Sequence, residues 1–134
     1  MAHQTFLRFD NVNFTYDSMT GELLSGVTLH FSCGWTGIVG PNGAGKTTLL
    51  FLACGKLQPD HGFVSIPELV RYCPQRTDDP PEGVEELMAA QDRDSLILKA
   101  DLDLKDGDLL RWESLSFGER KRFQIASALY HNPN

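Results

Sequence analysis

Long apolar runs are missing from this 134-residue sequence. The longest, Leu49 to Cys54, falls far short of the roughly 20 residues that a membrane-spanning helix needs. The opening MAHQTFLRFD has neither the basic end nor the apolar stretch of a secretion signal. Cysteine is scarce and unpaired in pattern: Cys33, Cys54 and Cys73 form no CxxC, and an odd count suits the reduced thiols of a cytosol better than a disulfide framework. The 4 histidines are scattered, so no metal cluster is read from them. No internal repeat or low-complexity tract occurs. Positive charge is also short, 12 Lys and Arg against 18 Asp and Glu, for a net charge of −6. Of those 18 acids, 13 lie between Asp78 and Glu119, which reads as a solvated acidic face. Such a chain is poorly suited to hold nucleic acid or an anionic membrane unaided, because that affinity comes mainly from Lys and Arg neutralising phosphates.

What is present reads as an α/β domain. Thr5 to Tyr16 is aromatic and β-rich, either two short strands or one bent at Asp10-Asn11. Asp17 to Gly21 is loop-like, and Gly26 to Phe31 alternates as a strand should, turning at Cys33-Gly34. Trp35 to Val39 is a short apolar run of the kind that a doubly covered parallel strand carries. A helix through Leu49–Cys54 ends at Gly55. Phe63 to Ile66 and Leu69 to Cys73 are brief strand candidates separated by Pro67. Thr77 to Glu82 is a loop, Val84 to Gln91 a helix, Asp94 to Leu109 mixed helix and turn, and Phe117 to Tyr130 a final helix.

The most specific motif is Gly40-Pro41-Asn42-Gly43-Ala44-Gly45-Lys46-Thr47, which fits G-x-x-x-x-G-K-[ST] at every position. It also sits in the required context, after an expected apolar strand and before a helix. Glycines allow successive backbone N–H groups to turn inward around phosphate oxygens, and the helix N-terminus adds its positive end. Lys46 would reach the β- and γ-phosphates, and the Thr47 hydroxyl would ligate Mg²⁺. A glycine-rich turn carrying a chance lysine is the bland alternative, and the context argues against it. The loop predicts nucleoside triphosphate binding through Gly40–Thr48, with ATP and Mg²⁺ as the cofactors the family below implies.

Three features in order, GPNGAGKTTLL, the Gln of YCPQ, and LSFGER opening the last helix, resemble the ATP-binding cassette (ABC) ATPases. The resemblance covers the chain from Phe6 to Asn134. It implies a P-loop NTPase core with an N-terminal antiparallel β portion, a truncated parallel sheet and a short helical insert over about 77–115, within a single domain spanning 1–134. It further implies that Gln75 is the glutamine that touches Mg²⁺ and the attacking water. Tyr16 matches the aromatic residue that stacks on adenine. Leu115-Ser116-Phe117-Gly118-Glu119 holds the place of the LSGGQ-like signature, whose Ser116, Gly118 and Glu119 would face the nucleotide of a second cassette, in cis or in a dimer. Ser116 and Glu119 have a structural reading too, as a capping box at a helix start. Phe117 stands where the family has Gly, and Glu119 where it has Gln, so Phe117 adds bulk where a partner nucleotide should come close.

Glu119 followed by Arg120-Lys121-Arg122 looks more like the soluble ABC-F type, many of which act on ribosomes, than like a transporter. The competing reading is the nucleotide-binding subunit of a membrane transporter, docked on a transmembrane partner. Either way the expected location is cytoplasmic, or peripheral at the inner face of a membrane, and this segment is not expected to bind nucleic acid directly. In the family an apolar strand ending in Asp and Glu follows the signature helix, and a switch histidine comes later. The sequence stops at Asn134, and His131 is too early for that histidine. The chain alone is therefore expected to hydrolyse ATP near background; turnover matching a full cassette and abolished by Lys46→Ala would overturn this. A non-hydrolysing ATP-binding switch and a fragment without independent function are the other readings.

Overall fold

The computed structural model describes residues 6–131. The chain divides into two compact units, Met1–Val70 and Arg71–Asn134.

In the first unit three strands, β1 (Leu7–Phe14), β2 (Leu24–Phe31) and β3 (His61–Ser65), form an antiparallel sheet in the order β2-β1-β3. Phe9, Val12 and Phe14 of β1 are all buried. A strand with a strict period of two cannot put residues 9 and 12 on one face. One extra residue resolves this: pairing steps from Phe9↔Leu29 to Val12↔Val27 on one side and from Asp10↔Phe63 to Asn13↔His61 on the other. Asn11, at φ 48, lies in this bulge. The break at Asp10-Asn11 is thus a bulge within one bent strand. Gly62 permits it, since a Cβ there would collide with the carbonyl oxygens of Asp10 and Asn11.

Helix α1 (Lys46–Ala53) contributes Leu52 to a core with Phe9, Val12 and Phe14. Burying each such side chain stabilises the unit by about 1.5–3 kcal/mol. The helix ends at Cys54, and Gly55 follows at φ 73.

The strand expected over Trp35–Val39 is not formed; the backbone there is irregular, and Trp35 and Val39 are 96% and 93% exposed. A parallel strand needs neighbours for its N–H and C=O groups. Among the described residues β1 pairs with β2 and β3 alone, and the 35–39 run pairs with neither outer strand. Leu69–Cys73 likewise forms no strand.

The second unit is helical: α2 (Val84–Ala89), α3 (Arg93–Asp101), a 3-10 turn (Asp108–Ser114) and α4 (Phe117–Tyr130). Its core joins Val84, Trp112, Leu115 and Phe123, with the Trp112 and Phe123 rings edge-on at 5.9 Å. Asp92 caps α3 by accepting from the Ser95 amide.

Candidate functional site

The glycine loop enters α1 through backbone that side chains disfavour. Gly43 has φ 84 and Gly45, at the helix start, φ 97 and ψ 14. No side chain caps α1, and its first turn holds no acidic residue. The first amides of a helix lack partners within it, so this end offers N–H donors and a positive dipole end to an anion. Gly40 to Ala44 are exposed, with the Ala44 amide donating to the Pro41 carbonyl at 3.3 Å in a tight turn.

Lys46 folds back over this loop. Its Nζ donates to the Gly40 carbonyl at 2.6 Å and to the Pro41 carbonyl at 2.7 Å. A cation held on two carbonyl dipoles would form stronger, charge-assisted bonds to phosphate oxygens. Of the two threonines, Thr48 is buried and its Oγ1 lies 2.9 Å from the Tyr16 hydroxyl, while Thr47 is exposed. Tyr16 is thereby fixed beside the helix start, with its ring edge-on to Phe14 at 4.9 Å. Exposed donors, a lysine ammonium and the exposed Thr47 fit a polyphosphate with a divalent cation.

The other expected residues lie in the second unit. Ser116 and Glu119 form a complete capping box. Ser116 Oγ accepts from the Glu119 amide at 3.2 Å, and Glu119 Oε2 accepts from the Ser116 amide at 2.7 Å. A bond from the Ser116 side chain, and after it the one from the Ser116 amide, hold the Glu119 carboxyl below its ordinary pKa. Gly118 faces open space, for a Cβ there would meet nothing within 4 Å. Phe117 is 62% exposed.

The structure also assembles something that the sequence did not announce. Polar side chains of α4 bind a row of backbone carbonyls in the loop that carries Gln75. Lys121 Nζ donates to Pro74 at 2.6 Å and to Gln75 at 3.5 Å. Gln124 Nε2 reaches Arg76, and Arg120 reaches Thr77, each at 3.4 Å. Ser127 donates to Glu82 at 2.7 Å, and a His131 ring nitrogen lies 3.0 Å from the Gly83 carbonyl. Trp112 Nε1 adds bonds to Thr77 and Asp78. The Cys73 thiol approaches the Gln124 carbonyl at 3.8 Å, and burial pushes its pKa up. Gln124 and Ser127 are buried polar residues on an otherwise apolar helix face, which was the available signal in the sequence.

Residues 24–134 match the family described as ABC transporter. The chain belongs to that family. A Thermotoga maritima protein named "probable metal transport system ATP-binding protein" is 35% identical over 136 aligned residues, 91% of this chain and 56% of that one. Elongation factor 3 of Gonapodya prolifera is 44% identical over 62 residues, 46% of this chain and 6% of that one. A solved dimeric ATP-binding cassette in a post-hydrolysis state with ADP and phosphate matches at TM-score 0.67 and 23% identity, over 94% of this chain and 70% of that one. That likeness bears on the fold, which is the α/β P-loop NTPase fold of ABC ATPases. The chain spans about half the length of the Thermotoga relative and far less of the elongation factor. Among the described residues no helix is long and apolar enough to cross a membrane.

Proposed function

We propose that this ABC domain binds MgATP on Gly40–Thr48 and presents its signature helix to the nucleotide of a second cassette. The observation that carries this reading is the pairing of an uncapped α1 start with a Lys46 ammonium resting on the Gly40 and Pro41 carbonyls. Lys46 holds the β- and γ-phosphates, Thr47 and Gln75 contact Mg²⁺, and Tyr16 stacks on adenine from its anchored position beside Thr48. Ser116 and Glu119 support the second role because their capping box fixes the start of the signature helix, where a phosphate of the partner would be met. The two units act as parts of one nucleotide-binding domain, with the helical insert at about 77–115.

The assembly is cytoplasmic and works as a pair of cassettes, with ATP-driven closure and hydrolysis as its working cycle. Two further partners are proposed: a transmembrane subunit, or a ribosome as for the soluble ABC-F type. The Glu119-Arg120-Lys121-Arg122 signature favours the soluble ABC-F type, and Arg120 and Lys121 donate to carbonyls of their own unit. A ligand that binds only the folded chain must stabilise it, so MgATP at a hundred times its dissociation constant should add about 2.7 kcal/mol to stability. A melting temperature that MgATP leaves unchanged would sink the proposal.

A further inference from the structure

We propose that Lys121 is the positioning residue for Gln75, clamping the backbone of its loop onto the signature helix, and that Phe117 seats the clamp. The inference rests on the reading of Gln75 as a Mg²⁺-contacting residue given above.

The geometry is that of a filled ammonium. Lys121 Nζ lies 2.6 Å from the Pro74 carbonyl, 3.5 Å from the Gln75 carbonyl and 2.6 Å from Gln124 Oε1, three acceptors for its three hydrogens. The Phe117 ring, one helical turn earlier, lies 5.9 Å from the same nitrogen. Gln75 is exposed and sits in a segment with neither helix nor strand. No backbone ladder therefore sets the direction of its side chain; the bonds to its loop do. The carbonyls of residues 76 and 77 are held by Gln124, Arg120 and Trp112, whereas Lys121 supplies the bonds to those of 74 and 75.

The same side chain thus joins two places with different tasks. Phe117 is the third residue of the signature and is open to whatever covers that face. Pressure on Phe117, or an anion drawn to the start of α4, acts on the Lys121 ammonium and so on the backbone at Gln75. This also accounts for an aromatic residue where the family has Gly: its ring covers the lysine.

The test uses the whole 134-residue chain and the variants Lys121→Met, Lys121→Arg and Phe117→Leu. Amide exchange over residues 75–78 should speed up about tenfold in Lys121→Met, the size expected for one lost charge-assisted bond, with the α4 amides unchanged. Lys121→Arg should restore slow exchange, and Phe117→Leu should raise it about twofold, the size of a weakened cation–π contact. Wild-type exchange at 75–78 in Lys121→Met overturns the clamp, and in Phe117→Leu it removes the ring from it.

The second measurement compares affinity for ATP with and without Mg²⁺. The preference for MgATP should shrink about tenfold in Lys121→Met, while affinity for metal-free ATP stays constant, and Lys121→Arg should recover it. An unchanged preference despite a loosened loop makes Lys121 merely structural and overturns the positioning role. A wild-type chain that binds no ATP overturns the glycine-loop reading instead, and the exchange result still decides whether Lys121 holds the loop.

Discussion

Helices α1 and α4 begin in opposite ways, although a nucleotide-facing role is proposed for both starts. At α1 the chain enters from Gly45 in a left-handed conformation, with no capping side chain and no acid in the first turn. At α4 it enters from Ser116 in an extended conformation, with both halves of the capping box made. Each helix start leaves about four N–H groups without partners inside the helix. The α4 start answers some of that demand from its own side chains, and the α1 start leaves it to whatever binds. Capping is worth about 1 kcal/mol to a helix, so the α1 start forgoes that stability and keeps its donors free. An uncapped glycine-loop start and a well-capped one are therefore two answers to the same unsatisfied chemistry.

Four substitutions can break or sharpen this contrast. The largest effect is expected from Lys46→Ala. ATP affinity should fall by roughly tenfold to a hundredfold, the scale of one charge-assisted bond. The melting temperature of the free chain should hardly move, because the carbonyls that Lys46 leaves are exposed to water. Titration calorimetry beside thermal unfolding checks both halves, and equal affinity in the variant would refute the role of the lysine.

Ser116→Ala should do the reverse. Thermal unfolding should report a loss of about 1 kcal/mol from the missing cap, with ATP affinity at the glycine loop intact. If ATP binding failed together with stability, the two helix starts would not be independent.

Gly118→Ala separates shape from stability. The position is helical and open, so alanine should raise stability by about 0.5–1 kcal/mol. If Gly118 faces a second cassette's nucleotide as proposed, the added methyl group should weaken ATP-dependent self-association, followed by sedimentation. Stronger association in the variant would remove Gly118 from the interface.

The smallest effect concerns pH. The Glu119 carboxyl is held below its ordinary value of 4.5 by the bonds from Ser116. Its folded pKa is depressed, so its stabilisation is present above that ordinary value and is lost as pH falls through the folded one. Melting curves of wild type and Glu119→Ala should differ near neutrality and converge in acid. A gap that persists at low pH would show that the carboxylate is not the cause.

Legibility in the sequence followed the range of the interactions. Helix α4 and its capping box were readable because Ser116 and Glu119 lie three residues apart and meet through helix geometry alone. The bulge in β1 was partly readable, as the possible break at Asp10-Asn11, but whether it made one strand or two depended on Gly62 and on pairing with β2 and β3. Trp35–Val39 misled because an apolar, β-prone run states a preference, and a strand also needs partners. The Lys121 bonds were not readable at all. They span 46 and 47 residues, and their acceptors are backbone carbonyls, which every residue carries.

The sequence by itself therefore determined the chemistry that short spacing controls: a glycine loop ending in Lys46 and Thr47, a Ser-x-x-Glu helix start, and a chain with no long apolar run. Tertiary structure alone decided that Thr48 turns inward to Tyr16 while Thr47 stays exposed, that Lys46 rests on two carbonyls, and that Lys121 serves the Gln75 loop rather than a solvated basic face. The reason is physical. Local motifs are set by backbone geometry over a few residues, whereas the use of a long polar side chain is settled only when folding brings an unpaired acceptor within its reach.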